Sequence, residues 1–392
     1  VNINGTKVTD FKSLKINKGP DSDVIVDVTG AGITTLDEVI FTKGILKLTG
    51  GIVQFLGNTG PIIQTGAGLW IDGATFSTGA FSIRNQGLFK MSRGLANVGT
   101  ISGNELQTET NGIFRMEGGT LNISGRLVNT AGEAQISGGI INLALKGQAE
   151  SGTGTFHMSA TTKLTITDGT IILHNNSLAG TNPIDIKIFS GSGSKVISGG
   201  TFEIGSAGTL INSVFRVDSP FAFNNLKLNS SNASMNIIGN NLTVVNLFTM
   251  NGGNINTGLL KLILSGGTSS SLSHSSGMVI GDLVRNVAQA GTNFVFPVGN
   301  GTNISMIHLN FASVSTPGNI TVSSTGVFPA GFLLNPSTVD ASAFISNSTV
   351  GFSTVSGSFQ LPTGFNPLQK VGLYNGSWNY QPASASVSFS GW

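Results

Sequence analysis

The sequence has no cysteine and few charged residues. Its 392 residues include 20 Lys and Arg and 18 Asp and Glu, a charged fraction of 10 % where a soluble domain has about 25 %. The missing thiols exclude disulfides, thiolate zinc sites and cysteine nucleophiles. The net charge is only +2, and the Lys and Arg residues are spread along the sequence without forming a basic stripe. Nucleic acid is therefore not expected as a partner, since such binders must replace phosphate counterions.

Helix-building patterns are scarce as well. No apolar run reaches the ~18 residues of a transmembrane helix, so we do not expect the chain to span a membrane. Glycine, in contrast, is abundant: 55 residues, about twice the usual share. A hydrophobic fraction of 39 % with 24 Phe argues against disorder. These features favour a folded, β-rich protein with many turns.

One short pattern recurs: alternating apolar and polar residues around a Gly-Gly, Asp-Gly or similar turn. Copies lie at residues 46–53, 114–123, 135–143, 164–171, 196–204 and 248–255. The central turns begin at residues 118, 138, 168 and 199, in steps of 20, 30 and 31 residues. Period-two alternation predicts strands with one buried face, and the glycines predict turns where φ is positive.

Two folds fit this pattern: a string of antiparallel hairpins and a solenoid of stacked β-coils. Persistence over more than 200 residues, alternation on both sides of each turn and the lack of crossover helices favour the solenoid. We therefore predict an all-β chain with a right-handed parallel β-helix over residues 1–275. Its core should include Leu121, Ile123, Ile141 and Leu143.

The pattern changes near residue 276. We predict a capping junction over residues 276–300 and a small, incomplete antiparallel β-sandwich-like module over 301–392. Arg285 is expected to hold the junction, and Pro297 to end strand pairing. The strands predicted downstream are 305–314, 319–327, 350–355, 373–380 and 385–389. We expect the chain to be part of a longer one, because it begins at Val1 and stops soon after a strand-like run.

Catalysis on a β-helix requires carboxylates from consecutive coils at one angular position, beside Arg or Lys. The candidates are Glu117, Glu133, Glu150, Asp168, Asp185 and Glu203. The repeats give no two of them a common register, and Asp168 fits a turn former. No catalytic residue is therefore predicted.

Metal and cofactor sites are not indicated either. Asp21, Asp23 and Asp27 could hold calcium loosely, but the segment lacks the EF-hand glycine and glutamate, so a solvated strand entry is favoured. The four histidines, His157, His174, His274 and His308, are isolated in the sequence and predict neither metal binding nor nucleophilic catalysis.

Few aromatic residues could form a sugar platform. The Trp and Tyr set is Trp70, Trp378, Trp392, Tyr374 and Tyr380. Trp378 and Tyr380 alternate with Asn379, which puts them on one face and favours a place in the core. The Phe residues are better explained as core filling.

One segment is more specific than the rest. Residues 280–287 read IGDLVRNV and residues 291–299 read GTNFVFPVG. This motif resembles a module of large, secreted β-helical and adhesin-like surface proteins of Bacteroidota, which are cargo of type IX secretion. The likeness extends in style over residues 110–392 and as a motif only over 280–299. It implies a cell-surface location, and partners among surface or secretion-machinery components, without implying catalysis. The secretion tail of that family is not present, which leaves the export route open.

The leading functional hypothesis is a non-enzymatic extracellular surface segment. It would be a stalk or an adhesin, part of a surface filament or a gliding adhesin, with surface glycans as candidate ligands. One alternative is a β-helix polysaccharide lyase or glycoside hydrolase. Another is a tail-spike-like fibre, which would form trimers.

Overall fold

The structure is a computed structural model. The described residues are 2–3, 7, 9–18, 25–30, 32–57, 59–147, 153–178, 183–302 and 304–323, together with the backbone of six strands between 344 and 390. Strands account for 64 % of the described part of the chain. None of the residues described here is in an α-helix, and Ser269–Ser271 form a single 3-10 turn.

The chain divides into two compact units, Val1–Leu226 and Lys227–Trp392. The strands of the first unit are β1 Asn2–Ile3, β2 Thr9–Asn17, β3 Ile25–Val28, β4 Gly32–Leu48, β5 Ile52–Phe55, β6 Ile62–Ile63, β7 Ala67–Ser77, β8 Ile83–Asn85, β9 Leu88–Val98, β10 Glu105–Thr108, β11 Ile113–Met116, β12 Thr120–Ile123, β13 Arg126–Asn129, β14 Glu133–Leu143, β15 Phe156–Met158, β16 Lys163–Leu173, β17 Ile186–Ile188, β18 Lys195–Ile197, β19 Thr201–Ile204 and β20 Ser213–Asp218. Strand β21, Phe223–Leu228, lies at the boundary.

The second unit contains the remaining strands. They are β22 Ala233–Ile237, β23 Leu242–Asn251, β24 Ile255–Leu264, β25 Leu272–Ser276, β26 Val279–Val287, β27 Gly291–Gly299, β28 Ile304–Phe311, β29 Val314–Thr316, β30 Gly318–Ser323, β31 Phe344–Ser348, β32 Gly351–Phe352, β33 Val355–Gln360, β34 Lys370–Tyr374, β35 Trp378–Pro382 and β36 Ser386–Ser390.

Strands of the first unit pair with the strands one coil before and one coil after, and they do so in parallel. Phe114 of β11 is level with Phe89 of β9 and with Ala134 of β14. A hairpin would instead pair each strand with its sequence neighbour in antiparallel fashion. The parallel β-solenoid is thus confirmed, with about 12 turns, and the hairpin alternative is excluded.

Each coil of the first unit has three strand positions, which we call its first, second and third faces. The first face comprises residues 44–48, 67–71, 88–91, 113–116, 133–136 and 163–166. The second face comprises residues 52–55, 75–77, 95–98, 120–123, 140–143, 170–173 and 201–204. The third face comprises β6, β8, β10, β13, β15, β17 and the end of β20.

The core is built of columns of apolar side chains that stack from coil to coil. On the second face, Leu121 and Ile141 are level with each other, and both are fully buried, as Ile123 and Leu143 also are. These are the four residues predicted to face inward, and the prediction is confirmed. Phenylalanine rings also stack along the axis, with centroids of Phe89 and Phe114 5.9 Å apart.

Glycines form the corner between the first and second faces. Gly119 and Gly139 have φ of +79°, a conformation that side chains oppose. A Cβ at Gly138 would collide with the carbonyl oxygen of Glu117 on the coil before. The glycine pairs are therefore corner residues of stacked coils, as the sequence predicted.

The corner between the second and third faces varies in length. Only residues 124–125 separate β12 from β13, whereas residues 205–212 separate β19 from β20. The flanking strands nevertheless keep their register with neighbouring coils. Extra length is therefore taken up in this corner.

In the second unit, parallel coils give way to antiparallel pairing. β26 is parallel to β24 on one side and antiparallel to β30 on the other, and β27, β28, β33 and β36 follow in antiparallel order. Antiparallel strands overlap three of the predicted segments, with β28 on 305–314, β30 on 319–327 and β36 on 385–389, whereas 350–355 covers β32 and only the first residue of β33. Their arrangement as a two-sheet sandwich stays a prediction, as do the boundaries at residues 275 and 300.

Two local predictions for this unit were wrong. Pro297 does not end pairing, because it lies inside β27 opposite Met306. A proline lacks only its own N–H and is tolerated where the ladder does not need that donor. Residues 373–380 are not one strand but the adjoining ends of β34 and β35, which pair in antiparallel fashion with Tyr374 opposite Trp378.

Candidate functional surface

The first face carries several of the charged side chains described in the solenoid. Its outward positions place Lys47, Trp70, Lys90, Arg115 and Gln135 level with one another on five successive coils. Because parallel strands lie about 4.8 Å apart, neighbours in this row can touch directly. We call it the first-face row.

Ion pairs and ring contacts tie this row together. The ammonium groups of Lys47 and Lys90 lie 4.1 and 4.5 Å from the centroid of the Trp70 ring. Lys47 Nζ is also 3.1 Å from Asp72 Oδ2, and Lys90 Nζ is 3.0 Å from Glu117 Oε1. Trp70 is therefore a bridge between cations of the flanking coils and does not offer a free platform to a sugar.

Hydrogen bonds extend the same network. Trp70 Nε1 donates to Ser92 Oγ at 2.9 Å, and Ser92 Oγ donates to Glu117 Oε2 at 3.0 Å. Burial raises the pKa of Asp72, but hydrogen bonds and charges from Lys47 and Arg93 outweigh it and hold the pKa below its ordinary value. Asp72 is therefore an anion at neutral pH and is not suited to act as a general acid.

Three carboxylates and several cations thus lie on the first face or at its edge. The third carboxylate is that of Glu133, whose Oε1 accepts a hydrogen bond of 2.5 Å from Gln135 Nε2. Arg115 Nε in turn donates to Gln135 Oε1 at 2.8 Å. Such a set is a chemical requirement for polysaccharide cleavage. Here Asp72, Glu117 and Glu133 are each engaged with a neighbouring side chain.

The other predicted carboxylates do not join this set. Asp168 caps its own turn, with Oδ1 accepting the N–H of Gly169 at 2.7 Å. Asp185 directly precedes the third-face strand β17, Glu203 lies on the second face, and Glu150 falls outside the described residues. The prediction that no two candidate carboxylates share a register needs correction. Met116 is level with Ile136, and the residue after Ile136, Ser137, is level with Asp168. Glu117 and Asp168 therefore lie in the same corner column, two coils apart.

Asp185 is the most strongly perturbed carboxyl group in the described part of the chain. It is fully buried, and its oxygens accept the backbone N–H groups of Ser177 at 2.5 Å and Arg216 at 2.7 Å. Burial outweighs these bonds and raises the pKa of Asp185 to about 7. Its position joins three segments of the third-face corner and does not open to solvent.

The histidines do not form one cluster, but two of them lie near each other: burial and the charge of His274 lower the pKa of His308. His157 lies on the third face, where burial and the charges of Arg126 and Lys187 lower its pKa to about 4. His174 hydrogen-bonds Asn142 and Ser206, and His308 Nδ1 is 2.7 Å from Asn293 Oδ1. Within the described ranges, no group of three or more Asp, Glu or His side chains is placed to hold a metal ion.

The predicted calcium segment can be followed only in part. Asp21 and Asp23 lie outside the residues that the structure describes. Asp27 belongs to β3, and its Oδ1 accepts a hydrogen bond of 2.8 Å from Thr49 Oγ1 on the next coil. The loose calcium site stays an untested prediction.

Arg285 ties the junction together, as predicted. Its side chain is fully buried and donates to the carbonyl oxygens of Val295 at 2.8 Å, Thr268 at 3.0 Å and Ser269 at 2.8 Å. The rings of Phe294 and Phe296 lie 5.2 and 5.7 Å from the guanidinium carbon. Burial lowers the pKa of Arg285 to about 10, so the group stays charged at neutral pH.

Sequence reasoning missed the first-face row. Its members are spaced 20 to 25 residues apart, which is the coil length, but Trp70 and Gln135 are uncharged, so a search for charged residues alone would not have found the row. The irregular coil length hid the row, because no single period aligns all of its members.

Comparisons with known proteins do not assign the chain to a family. No protein-family model matches it, and neither the curated proteins nor the solved structures gave a significant match. The described part of the chain contains no helix that is long and apolar enough to cross a membrane.

Proposed function

We propose that this chain is a non-enzymatic segment of an extracellular bacterial surface protein, a β-solenoid stalk or adhesin of a surface filament. One observation carries the proposal: described ion pairs of the first unit link one coil to another. Examples are Lys47 with Asp72, Arg84 with Glu109, and Arg126 with Glu105. Charged side chains that are paired in this way stabilise the stacking of coils and are not available for acid–base catalysis.

The resemblance of residues 280–299 to secreted surface proteins of Bacteroidota supports the extracellular location. It also supports type IX secretion components as partners. In this proposal Arg285 secures the turn where parallel coils end and antiparallel strands begin. A solenoid exposed at its end would offer unpaired backbone groups to other chains, and this junction covers them with β30.

Protease shaving of intact source cells tests the location. We expect peptides from residues 32–147 to be released from whole cells, in amounts similar to those of established surface proteins. Release only after lysis would contradict the proposal. Antibody labelling of unpermeabilised cells gives an independent reading, which does not depend on protease access to a rigid fold.

The second candidate, a polysaccharide lyase or hydrolase, is favoured by Asp72 and Glu117, which lie at one edge of the first face beside Lys47 and Lys90. Assays for new reducing ends and for unsaturated uronates on neutral and acidic polysaccharides test it. We expect no product. Product formation by the natural chain, lost in Asp72→Asn and kept in Asp168→Asn, would replace our proposal with the enzyme.

A further inference from the structure

The second face of the first unit has no charge on six successive coils. Its residues 52–55, 75–77, 95–98, 120–123 and 140–143 contain only apolar, hydroxyl and amide side chains, and so do residues 170–173. The first and third faces of the same coils carry the ion pairs described above. The solenoid thus has one long uncharged face, which ends at Glu203.

Two outward rows run along this face. The methyl row consists of Ile52, Thr75, Leu95, Thr120, Ile140 and Thr170, which are level with one another from coil to coil. Ile52 is 51 % exposed and Ile140 is 41 % exposed. Every side chain in the row carries at least one methyl group that can pack against another apolar surface.

The amide row runs beside it and has a direction. Asn122 Nδ2 donates to Asn97 Oδ1 at 2.9 Å, and Asn142 Nδ2 donates to Asn122 Oδ1 at 2.8 Å. His174 Nε2 lies 2.9 Å from Asn142 Oδ1, and its Nδ1 lies 2.9 Å from Ser206 Oγ. Asn122 and Asn142 therefore each use one N–H and one oxygen lone pair on their neighbours, which leaves each of them one N–H and one lone pair.

We infer that the second face binds an uncharged polysaccharide chain lying along the solenoid axis. The inference rests on the proposed adhesin function and names its ligand class. Sugar rings present C–H faces to a methyl row and hydroxyl groups to an amide row, which can both donate and accept. The coil spacing of about 4.8 Å is close to the length of one sugar residue, so a methyl and an amide contact can recur on the three successive coils that carry Asn97, Asn122 and Asn142.

The absence of charge on this face favours a neutral polysaccharide as its ligand. A polyanionic glycan would gain nothing from a face without cations, whereas a neutral chain loses no ionic hydration when it docks. The remaining N–H groups of the amides also disfavour a purely apolar partner, since their burial without acceptors is costly. A second copy of the chain on this face is an outcome that the experiment below separates.

Binding is measured by depletion onto insoluble cellulose and chitin and by affinity electrophoresis in soluble β-glucan, with polygalacturonate as the acidic probe. We expect retention by at least one neutral polysaccharide and none by polygalacturonate. Retention should not change between about 0.1 and 1 M salt, where the screening length falls from about 10 to about 3 Å. Salt-sensitive binding would assign the contact to one of the charged faces, the first or the third, and overturn the inference.

Matched variants locate the contact. Ile140→Arg places a charge on the methyl row and should weaken binding about tenfold or more, because an unpaired guanidinium is poorly tolerated against C–H groups. Val196→Arg is the control, since Val196 is 49 % exposed and continues the first-face register after Thr165. Thr75→Arg is a second variant on the methyl row, for use if Ile140→Arg folds poorly.

Three results would overturn the inference: no retention by any neutral polysaccharide, equal weakening by Ile140→Arg and Val196→Arg, or a dimer in sedimentation velocity that Ile140→Arg dissociates. The last would assign the face to a second copy of the chain. None of these results bears on surface location, which protease shaving measures separately. Failure of the ligand assignment and failure of the proposed function are thus distinguishable.

Discussion

At the residue scale, Arg285 carries a charge into a place where water is excluded. In the described part of the chain its hydrogen-bond acceptors are main-chain carbonyls and the Ser271 hydroxyl, with no carboxylate among them. Carbonyl oxygens can solvate a guanidinium, and a planar group with five donors can reach several of them at once. These hydrogen bonds make the junction rigid, because each carbonyl oxygen must stay in line with an N–H group of the planar guanidinium.

Replacing Arg285 by Met should lower the free energy of unfolding by about 3 kcal/mol, since several buried carbonyls lose their donors at about 1 kcal/mol each. Urea denaturation of the full chain measures the change. Arg93→Met is the control, because the Arg93 side chain is 69 % exposed and should cost less than about 1 kcal/mol. A loss at Arg285 no larger than at Arg93 would show that the junction does not depend on the guanidinium.

Asp185 makes stability depend on pH. Its folded pKa is raised to about 7 from an ordinary 3.8, so between these values the folded chain holds a proton that the unfolded chain has released. Stability contributed by this group therefore falls as pH rises from about 4 to about 7, by roughly 1.4 kcal/mol per pH unit at most.

Asp185→Asn removes that dependence. The stability difference, variant minus natural chain, should grow in favour of the variant as pH rises from about 4 to about 7 and then stay level. Denaturant unfolding at several pH values measures it. A difference that is flat with pH would mean that Asp185 keeps its ordinary pKa in the fold.

At the element scale, the corner between the first and second faces sets how closely coils stack. Gly138 sits there against the carbonyl of Glu117, while a methyl group added to Gly208 would have no neighbouring atom nearer than 4.0 Å. Neither glycine has a positive φ. The pair therefore separates the effect of close approach from that of backbone conformation.

Gly138→Ala should destabilise the chain by about 2 kcal/mol or more, because a Cβ there overlaps backbone that cannot rotate away. Gly208→Ala should change stability by less than about 0.5 kcal/mol. Thermal or urea unfolding compares the two. Equal effects would contradict the close stacking of corners that defines the coil.

Individual strands were predictable from the sequence where apolar and polar residues alternate over a long stretch. Around Leu121 and Ile141 the period-two pattern flanks a glycine pair, and the inward residues follow directly from it. Third-face strands such as β17 have three residues, too few for alternation to stand out. The hairpin β34–β35 has the pattern of one strand, since local preference does not reveal where a strand reverses.

At the scale of the whole molecule, the solenoid fold was predictable but its working surfaces were not. The fold follows from a repeated local pattern, whereas a surface row depends on the exact number of residues between coils. The columns of Trp70 and Asn122 arise from coils of unequal length, so only the register of the strands brings their members together. The ligand class likewise depends on which face each row occupies.

A solenoid responds to damage locally, because each coil contacts its neighbours only. In hydrogen exchange, Gly138→Ala should speed exchange in β11, β14 and β16, which meet at or flank that corner. Strands β26 to β28 of the second unit should keep their natural rates. Faster exchange spread evenly over both units would indicate that the chain unfolds as a single cooperative body.

The variable corner between the second and third faces has a consequence for how such a chain can change. Because β19 and β20 keep register across residues 205–212 while β12 and β13 are joined by residues 124–125 alone, added length in that corner is neutral to pairing. Genetic insertions can therefore accumulate at one edge without disturbing the opposite faces. A foreign peptide or whole domain grafted after Ala207 would be carried outside the stack while the coils beneath it remain unchanged.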